Sequence, residues 1–388
     1  MEFVPGSMKG SKQEETSENE EQGQTEQSRQ TVAEENDAEQ AKTAGNLEVH
    51  FIDVGQGDAT LIKCDGHSML IDAGNNDKGT LVQNYLQHQG VETLDYVIGT
   101  HPDADHIGGM DVVLYKFDCK TIIMPDVANN TRTYDDVVQT MKNKGYKTTY
   151  PVVGETYTIG GAAFTIIAPN KEYGNDMNSW SVGVLLQNGN HRFLFTGDAE
   201  EGAEQDILQN GIDISADVYK VAHHGSNTAT SQAFLDAVHP TYAVISAGEG
   251  NSYGHPHAEV LNRLRAAGVS VFRTDEQGTI VAASDGTTLT WNMSPSESWQ
   301  AGEAKKSQNT EKSEKAADSQ NNAETDAAVS NPTDQTDGNS DVIVHITKTG
   351  EKYHSAGCQY LRQSDIEVTL SEAKARGLTP CSKCNPPQ

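Results

Sequence analysis

The chain has 388 residues, 35% of them hydrophobic, and 56 acidic side chains against 28 basic ones, a net charge of −28. So acidic a balance argues against strong non-specific attachment to a polyphosphate, which needs clustered Lys and Arg. No run of 18 apolar residues occurs, so no membrane-spanning helix is expected. Residues 1–46 hold 11 acidic and 4 basic side chains among Gln, Ser, Thr and Asn. Such a stretch cannot bury enough apolar surface to offset its ordering entropy and reads as a disordered leader and linker. Its opening Met1-Glu2-Phe3-Val4-Pro5-Gly6-Ser7-Met8 has the look of a vector-derived leader that replaced whatever preceded it natively.

From residue 47 the pattern changes. Residues 47–53, 59–63 and 67–72 read as strands separated by the Gly55/Gly57 and Asp65-Gly66 turns, the third ending in the carboxylate of Asp72. Residues 80–89 have helical periodicity and stop at Gly90. The strand 95–99 then delivers Thr100-His101-Pro102-Asp103-Ala104-Asp105-His106-Ile107-Gly108-Gly109. Imidazole and carboxylate are the ligands that Zn²⁺, Mn²⁺ and Fe accept in mixed N/O sites. Alternate residues of an extended segment point to one side, so His101, Asp103 and Asp105 can share a face, with His106 at the turn into a helix. One short loop can therefore feed two neighbouring metals.

Helices at 107–115 and 135–144 flank a strand at 120–124, and strands recur at 164–168, 181–187 and 191–196. The last of these runs into Gly197 and Asp198, whose two oxygens can bridge a metal pair. A helix over 200–210 precedes the strand 217–222, which leads to His223-His224-Gly225-Ser226. Helices at 232–238 and 256–267 alternate with strands at 242–246 and 269–273, and strands at 279–283 and 288–291 close a domain spanning 47–293. That domain has a net charge of −17, so charge alone does not favour a nucleic-acid substrate, although two divalent ions would return about four charges.

The motif Phe51-Ile52-Asp53-Val54-Gly55-Gln56-Gly57-Asp58-Ala59, the metal loop, Asn178 with Ser181, Thr196-Gly197-Asp198, Lys220-x-x-His223-His224-Gly225-Ser226 and Asn251-Ser252-Tyr253-Gly254-His255-Pro256-His257 together resemble the metallo-β-lactamase fold. Within that superfamily they most resemble the extracytoplasmic hydrolase domain of competence DNA-uptake proteins of the ComEC type. No multi-spanning channel accompanies the motifs here. The resemblance implies an α/β class chain with a four-layer αββα arrangement and two divalent metals, Zn or Mn. It assigns His101 and Asp103 to one metal, Asp105 and His106 to the other, and Asp198 to the bridge, with one of His223 and His224 as a further ligand. Asp72 is expected to orient a ligand imidazole or the loop, and Asp58 to support the rim. Lys220, Ser226 and His255 are expected to contact phosphate oxygens or donate a proton to the leaving group.

Two departures from the family pattern matter. Asp103 stands where many relatives have His, and its carboxylate is the harder ligand, which favours Mn²⁺ alongside Zn²⁺. The further His of the relatives has no counterpart except His191, at the turn before the Asp198 strand; Asn178 lies nearer the expected position. The expected function is metal-dependent hydrolysis of a phosphodiester, DNA or RNA, by a dinuclear metal-activated hydroxide, with Asp105, His224, Lys220 and His255 as catalytic residues. The alternatives are another phosphoester, phosphocholine or a cyclic dinucleotide, or a catalytically weak protein that binds nucleic acid or a cell surface. Asp103 and the Gly55-Gln56-Gly57-Asp58 loop disfavour a lactamase.

Residues 294–340 repeat the acidic, polar style of the start and read as a second disordered linker. In the closing segment, 341–388, His354, Cys358, Cys381 and Cys384 form H-x₃-C…C-x₂-C around a short helix pattern at 370–377. A Cys₃His set is tetrahedral and closed, which marks one structural zinc, and ligation supplies what burial in so short a segment cannot. A Cys381–Cys384 disulfide is the rival reading. The segment resembles the small metal-binding module of the Ada type. Cys64 and Cys119 read as buried small hydrophobes. The chain is expected to act as a monomer, outside the cell or tethered to its surface through a lost N-terminal signal, with a cytoplasmic location as the alternative.

Overall fold

The computed structural model describes Met1, residues 44–303 and, beyond them, residues 343–347, 352–354, 361, 366–375, 378–381 and 383–384. Most of both acidic stretches, and Cys358, lie outside the described residues. The chain divides into two units, Met1–Thr310 and Glu311–Gln388.

In the first unit, strands β1 (Leu47–Phe51), β2 (Thr60–Cys64), β3 (His67–Ile71), β4 (Thr93–Ile98), β5 (Asp118–Ile123) and β6 (Thr148–Thr149) belong to one sheet. A second sheet holds β7 (Thr156–Ile159), β8 (Ala162–Ala168), β9 (Gly183–Asn188), β10 (His191–Phe195), β11 (Val218–Lys220), β12 (Tyr242–Ile245) and β13 (Ser270–Arg273). Strands β14 (Ile280–Ser284) and β15 (Leu289–Trp291) return to the first sheet, giving the orders β15-β14-β1-β2-β3-β4-β5-β6 and β13-β12-β11-β10-β9-β8-β7.

Period-two patterning explains the layering. On β2 and β3, Ile62 and Met69 enter the core between the sheets, while Leu61 and Leu70 face the helices α1 (Gly79–His88), α2 (Ala104–Ile107), α3 (Met110–Lys116) and α4 (Arg132–Lys144). On β10, Phe193 and Phe195 point between the sheets, where Phe195 stacks on Phe51 at 6.1 Å. Leu194 points the other way, toward α5 (Glu201–Gln209), α6 (Gln232–Val238) and α7 (Ala258–Ala266). Each such side chain contributes about 1.5–3 kcal/mol on burial. The result is helices, sheet, sheet, helices: the four-layer αββα arrangement.

The elements differ from the sequence expectation in three places. The helix expected over 107–115 is two, because Gly108 and Gly109 interrupt it; a Cβ at Gly109 would fall on the Ala73 carbonyl and on Gly79. The short β6, β7 and α8 (Thr274–Gln277) carry too few residues to show a period. The chain also stays on the fold past Met293: Ser296 N–H donates to Val271 O at 2.7 Å, Gly302 N–H donates to Pro256 O at 2.9 Å, and Trp299 packs against the α7 layer.

In the second unit, β16 (Ile343–Ile346), β17 (Lys352–His354), β18 (Ile366–Thr369), α9 (Leu370–Ala375) and β19 (Thr379–Pro380) form a four-stranded sheet with one helix. Val344, Ile346, Tyr353, Val368, Leu370 and Ala373 make a small core.

Candidate metal centre

The parallel strands β3, β4 and β5 of the first sheet, and β10, β11 and β12 of the second, release the chain at their carboxyl ends. The crevice outside such ends is where open α/β sheets place ligands. Asp72 leaves β3, His101 to His106 leave β4, Asp198 leaves β10, and His223 with His224 leave β11. They meet. His106 Nε2 is 3.1 Å from Asp198 Oδ1, and His224 Nε2 is 3.3 Å from Asp105 Oδ2 and 3.4 Å from Asp198 Oδ2. Ligand atoms of Asp105, His106, Asp198 and His224 all lie within 4.8 Å of one another. The His101 ring lies beside His106 at 4.1 Å, tilted by 52°, and His101 Nε2 lies 3.8 Å from Asp103 Oδ2.

Each imidazole is turned by its other nitrogen. His106 Nδ1 meets Asp72 Oδ2 at 2.8 Å, and Asp72 also accepts from Thr100 N and Oγ1 at 2.8 and 2.7 Å. His224 Nδ1 meets the Ser246 carbonyl at 2.9 Å and His101 Nδ1 meets Thr100 Oγ1 at 3.1 Å. The Nε2 atoms of His101, His106 and His224, and Oδ1 of Asp198, are buried without a hydrogen-bond partner. One such orphan costs about 1–3 kcal/mol. Several converging from three strand ends, all imidazole nitrogen or carboxylate oxygen, form a donor set that suits a divalent cation.

Backbone conformation supports the same point. His223 and His224 have φ of 49° and 54°, left-handed values that non-glycine residues adopt at a cost on the order of 1 kcal/mol or more each. The strain turns the two rings apart. His224 is buried in the cluster, whereas His223 is partly exposed, with Nδ1 3.4 Å from Glu200 Oε1 and Nε2 3.6 Å from Asp198 Oδ2. Gly57 also has a required role: its φ is +137°, and a Cβ there would strike the Asp105 carbonyl, to which Asp58 N–H donates at 3.0 Å.

The charges are strongly coupled. Burial disfavours ionised Asp198, but His106 and His224 outweigh it and hold the carboxyl well below its usual range. Asp105 is lowered to about 2, burial opposing and His224 and His106 prevailing. Burial, then the neighbouring His106, lowers His101 to about 3. Burial and the nearby Asp105 raise Asp103.

Several expected residues take other places. Lys220 is buried, its ammonium 2.9 Å from Asp58 Oδ2 and 3.1 Å from Val221 O, so it faces the interior rather than a substrate. Asp58 lies inside the cluster, not on the rim, with Oδ1 3.4 Å from His224 Nδ1. His255 does reach the edge of the cluster, 5.6 Å from His223 by ring centroids, but burial and the His224 and His223 charges lower it to about 3. In that state the imidazole is neutral at neutral pH and carries no extra proton to give to a leaving group. Ser226 bonds to Thr228 Oγ1 at 3.0 Å. Asn178 donates to Glu200 Oε1 at 3.3 Å. His191 bonds Ser284 Oγ at 2.7 Å, at the start of the strand that ends in Asp198, roughly 23 Å of extended chain away.

Glu200, Gln56 and Ser246 join the site without having been expected there. The signal for Glu200 was its spacing, two residues past Asp198 at a strand end. Gln56 bridges Gly248 N–H and His255, and Ser246 contributes only its carbonyl, a group no side-chain pattern reveals.

In the second unit, His354, Cys381 and Cys384 bring ligand atoms within 4.8 Å, with Cys384 Sγ 3.8 Å from His354 Nδ1. No disulfide joins Cys381 to Cys384. Cys64 and Cys119 are buried, and burial pushes the Cys119 thiol up to about 12, which leaves it inert.

Fold and site define a divalent-metal hydrolase class: the metallo-beta-lactamase superfamily matches residues 52–249, and the chain belongs to it. Among individual proteins, it is 31% identical to ComE operon protein 3 of Bacillus subtilis over 255 residues, 60% of this chain and 32% of that protein. It is 33% identical to Recombination protein 2 of Haemophilus influenzae over 238 residues, 60% of this chain and 28% of that one. The chain thus spans about a third of the length of these competence-type relatives. Among solved structures, the metallo-beta-lactamase fold protein YhfI from Bacillus subtilis aligns with 61% of this chain and 100% of its own, at 13% identity and a TM-score of 0.44. Among the described residues, no helix is long and apolar enough to cross a membrane.

Proposed function

We propose that the first unit is a metal-dependent phosphodiesterase, a nuclease acting on DNA or RNA. The observation that carries this reading is the convergence of unpartnered buried Nε2 and carboxylate oxygen atoms from three strand ends. In this reading His101 and Asp103 would hold one divalent ion, Zn or Mn, and Asp105, His106 and His224 the other, with Asp198 available to both. Bound there, the ions supply Lewis acidity toward a phosphoryl oxygen and lower the pKa of a water.

The chain's own residues prepare that chemistry. Asp72 accepts the Nδ1 proton of His106, and the Ser246 carbonyl that of His224, so in both rings it is Nε2 that would give up its proton and turn its lone pair to a metal. Lys220 neutralises Asp58 and so offsets the repulsion that Asp58 exerts on Asp72. Asp198 has both oxygens aimed into the cluster. The competence-type relatives support DNA as the polymer, and a place outside the cell or on its surface, as a monomer, is part of the same reading. In the second unit, His354, Cys381 and Cys384 would hold a structural zinc.

The test is hydrolysis of bis-p-nitrophenyl phosphate and of single-stranded DNA by metal-free protein reconstituted with Zn²⁺ or Mn²⁺. Turnover that requires metal and is abolished in Asp105→Ala/His106→Ala is expected. Folded protein that binds two equivalents yet cleaves neither substrate with either metal would overturn the reading.

A further inference from the structure

Beside the cluster stands an aromatic side chain that the centre itself does not use. Tyr253 is 63% exposed, against a core in which most large apolar side chains are buried. One face of its ring stacks on His255, 5.5 Å between centroids and 20° between planes. His255 in turn lies 5.6 Å from His223 and 6.1 Å from His224, so the stack leads straight into the site.

The loop that carries it is braced. Asn251 Oδ1 accepts from Tyr253 N–H at 3.1 Å and His255 N–H at 3.0 Å, and its Nδ2 donates to Gly248 O at 2.9 Å and His255 O at 2.6 Å. Gln56 Nε2 lies 3.5 Å from His255 Nδ1, and its Oε1 accepts from Gly248 N–H at 3.3 Å, tying the loop to the first sheet. An exposed tyrosine is ordinarily a free rotor. This one is backed by a fixed ring and presents its other face to solvent at the mouth of the site.

The charge of the unit makes such a surface necessary. A phosphodiester polymer usually gains its affinity from Lys and Arg along its backbone. Residues 47–293 carry 31 acidic against 14 basic side chains, and Lys220 is committed to Asp58. A source of affinity that does not depend on cations is base stacking on an aromatic ring, to which every nucleobase can contribute.

We propose that the outward face of Tyr253 is the stacking platform for a nucleobase adjacent to the scissile phosphodiester, which makes single-stranded, base-bearing nucleic acid the ligand. The inference rests on the phosphodiesterase reading for the word scissile; the platform itself is tested by binding.

The measurement is fluorescence anisotropy of a labelled oligothymidylate, and of an abasic oligomer with the same phosphates, on the full chain with Ca²⁺ as the only metal. The wild type is expected to bind the base-bearing strand more tightly. Tyr253→Ala should weaken that binding about tenfold and leave the abasic strand unchanged, while Tyr253→Phe, which keeps the ring, should bind as wild type. Equal binding of the two strands by the wild type, or equal losses on both in Tyr253→Ala, would overturn the platform. So would a Tyr253→Ala defect confined to p-nitrophenyl phosphocholine hydrolysis, which would assign the ring to a quaternary cation. Failure of the phosphodiesterase reading is seen separately, as absent bis-p-nitrophenyl phosphate turnover in wild type whose base-dependent binding is intact.

Discussion

On one flank of the cluster, His106 and His224 are each gripped at the far nitrogen, by Asp72 and by the Ser246 carbonyl, and both are buried with Asp198 between them. On the other flank, His101 has only the Thr100 and Ser181 hydroxyls, at 3.1 and 3.3 Å, behind it. Its partner Asp103 has a side chain 39% exposed and held by one 3.4 Å contact from Asn129. The first flank is organised before any ion arrives; the second is left half open to solvent. The difference teaches that, in the two-metal reading proposed above, positions fed by one loop need not bind equally. What separates them is the depth of the supporting groups, since supporting partners set both ring orientation and ligand basicity.

The comparison is broken most severely at the first flank. Asp105→Ala/His106→Ala should reduce metal-dependent hydrolysis by about 10³-fold or more, because several kcal/mol of charge stabilisation go with the ion. Elemental analysis should show at least one equivalent of metal lost, and a variant that keeps two would refute the assignment. Next in size is Asp72→Asn, which leaves every direct ligand in place. It should weaken the tighter equivalent about 10–100-fold in chelator competition without changing the weaker one. Equal weakening of both would mean the flanks are not independent.

Asp103→His tests the open flank by giving it a softer ligand. Zn²⁺ should bind the weaker position more tightly and Mn²⁺ less so, read by titration with each ion; no change in preference would show that Asp103 is not a ligand. The smallest effect lies away from both flanks. Glu204 is buried and accepts from Thr230 and Ser231 N–H, pinning the turn after His224 to α5. Burial raises its carboxyl, the backbone donors opposing. Glu204→Gln swaps one acceptor oxygen for a donor and should cost about 1–2 kcal/mol, a fall in Tm of a few degrees in metal-free protein. Metal affinity of the first flank should stay within experimental error of wild type.

How much of this was legible in the chain differs from residue to residue. Strand ends carrying Asp72, His101, Asp198 and the His223-His224 pair could be read directly, because apolar runs mark strands and a polar residue after one is displayed at its end. Their order along the chain carried the superfamily and the αββα layering. The role of Lys220 could not be read: on a three-residue strand nothing local tells which face the ammonium takes, and Asp58, its partner, is 162 residues away. Nor could the choice between His223 and His224, adjacent in sequence and turned apart by two left-handed residues.

The chain by itself determined which side chains stand at which strand ends, since that follows from short-range periodicity and turn chemistry. The tertiary structure alone decided which of them face one another, which nitrogen of each imidazole stays bare, and which flank is closed. Those outcomes depend on contacts between two sheets whose register is set by burial of the whole core, and no local window of sequence contains them.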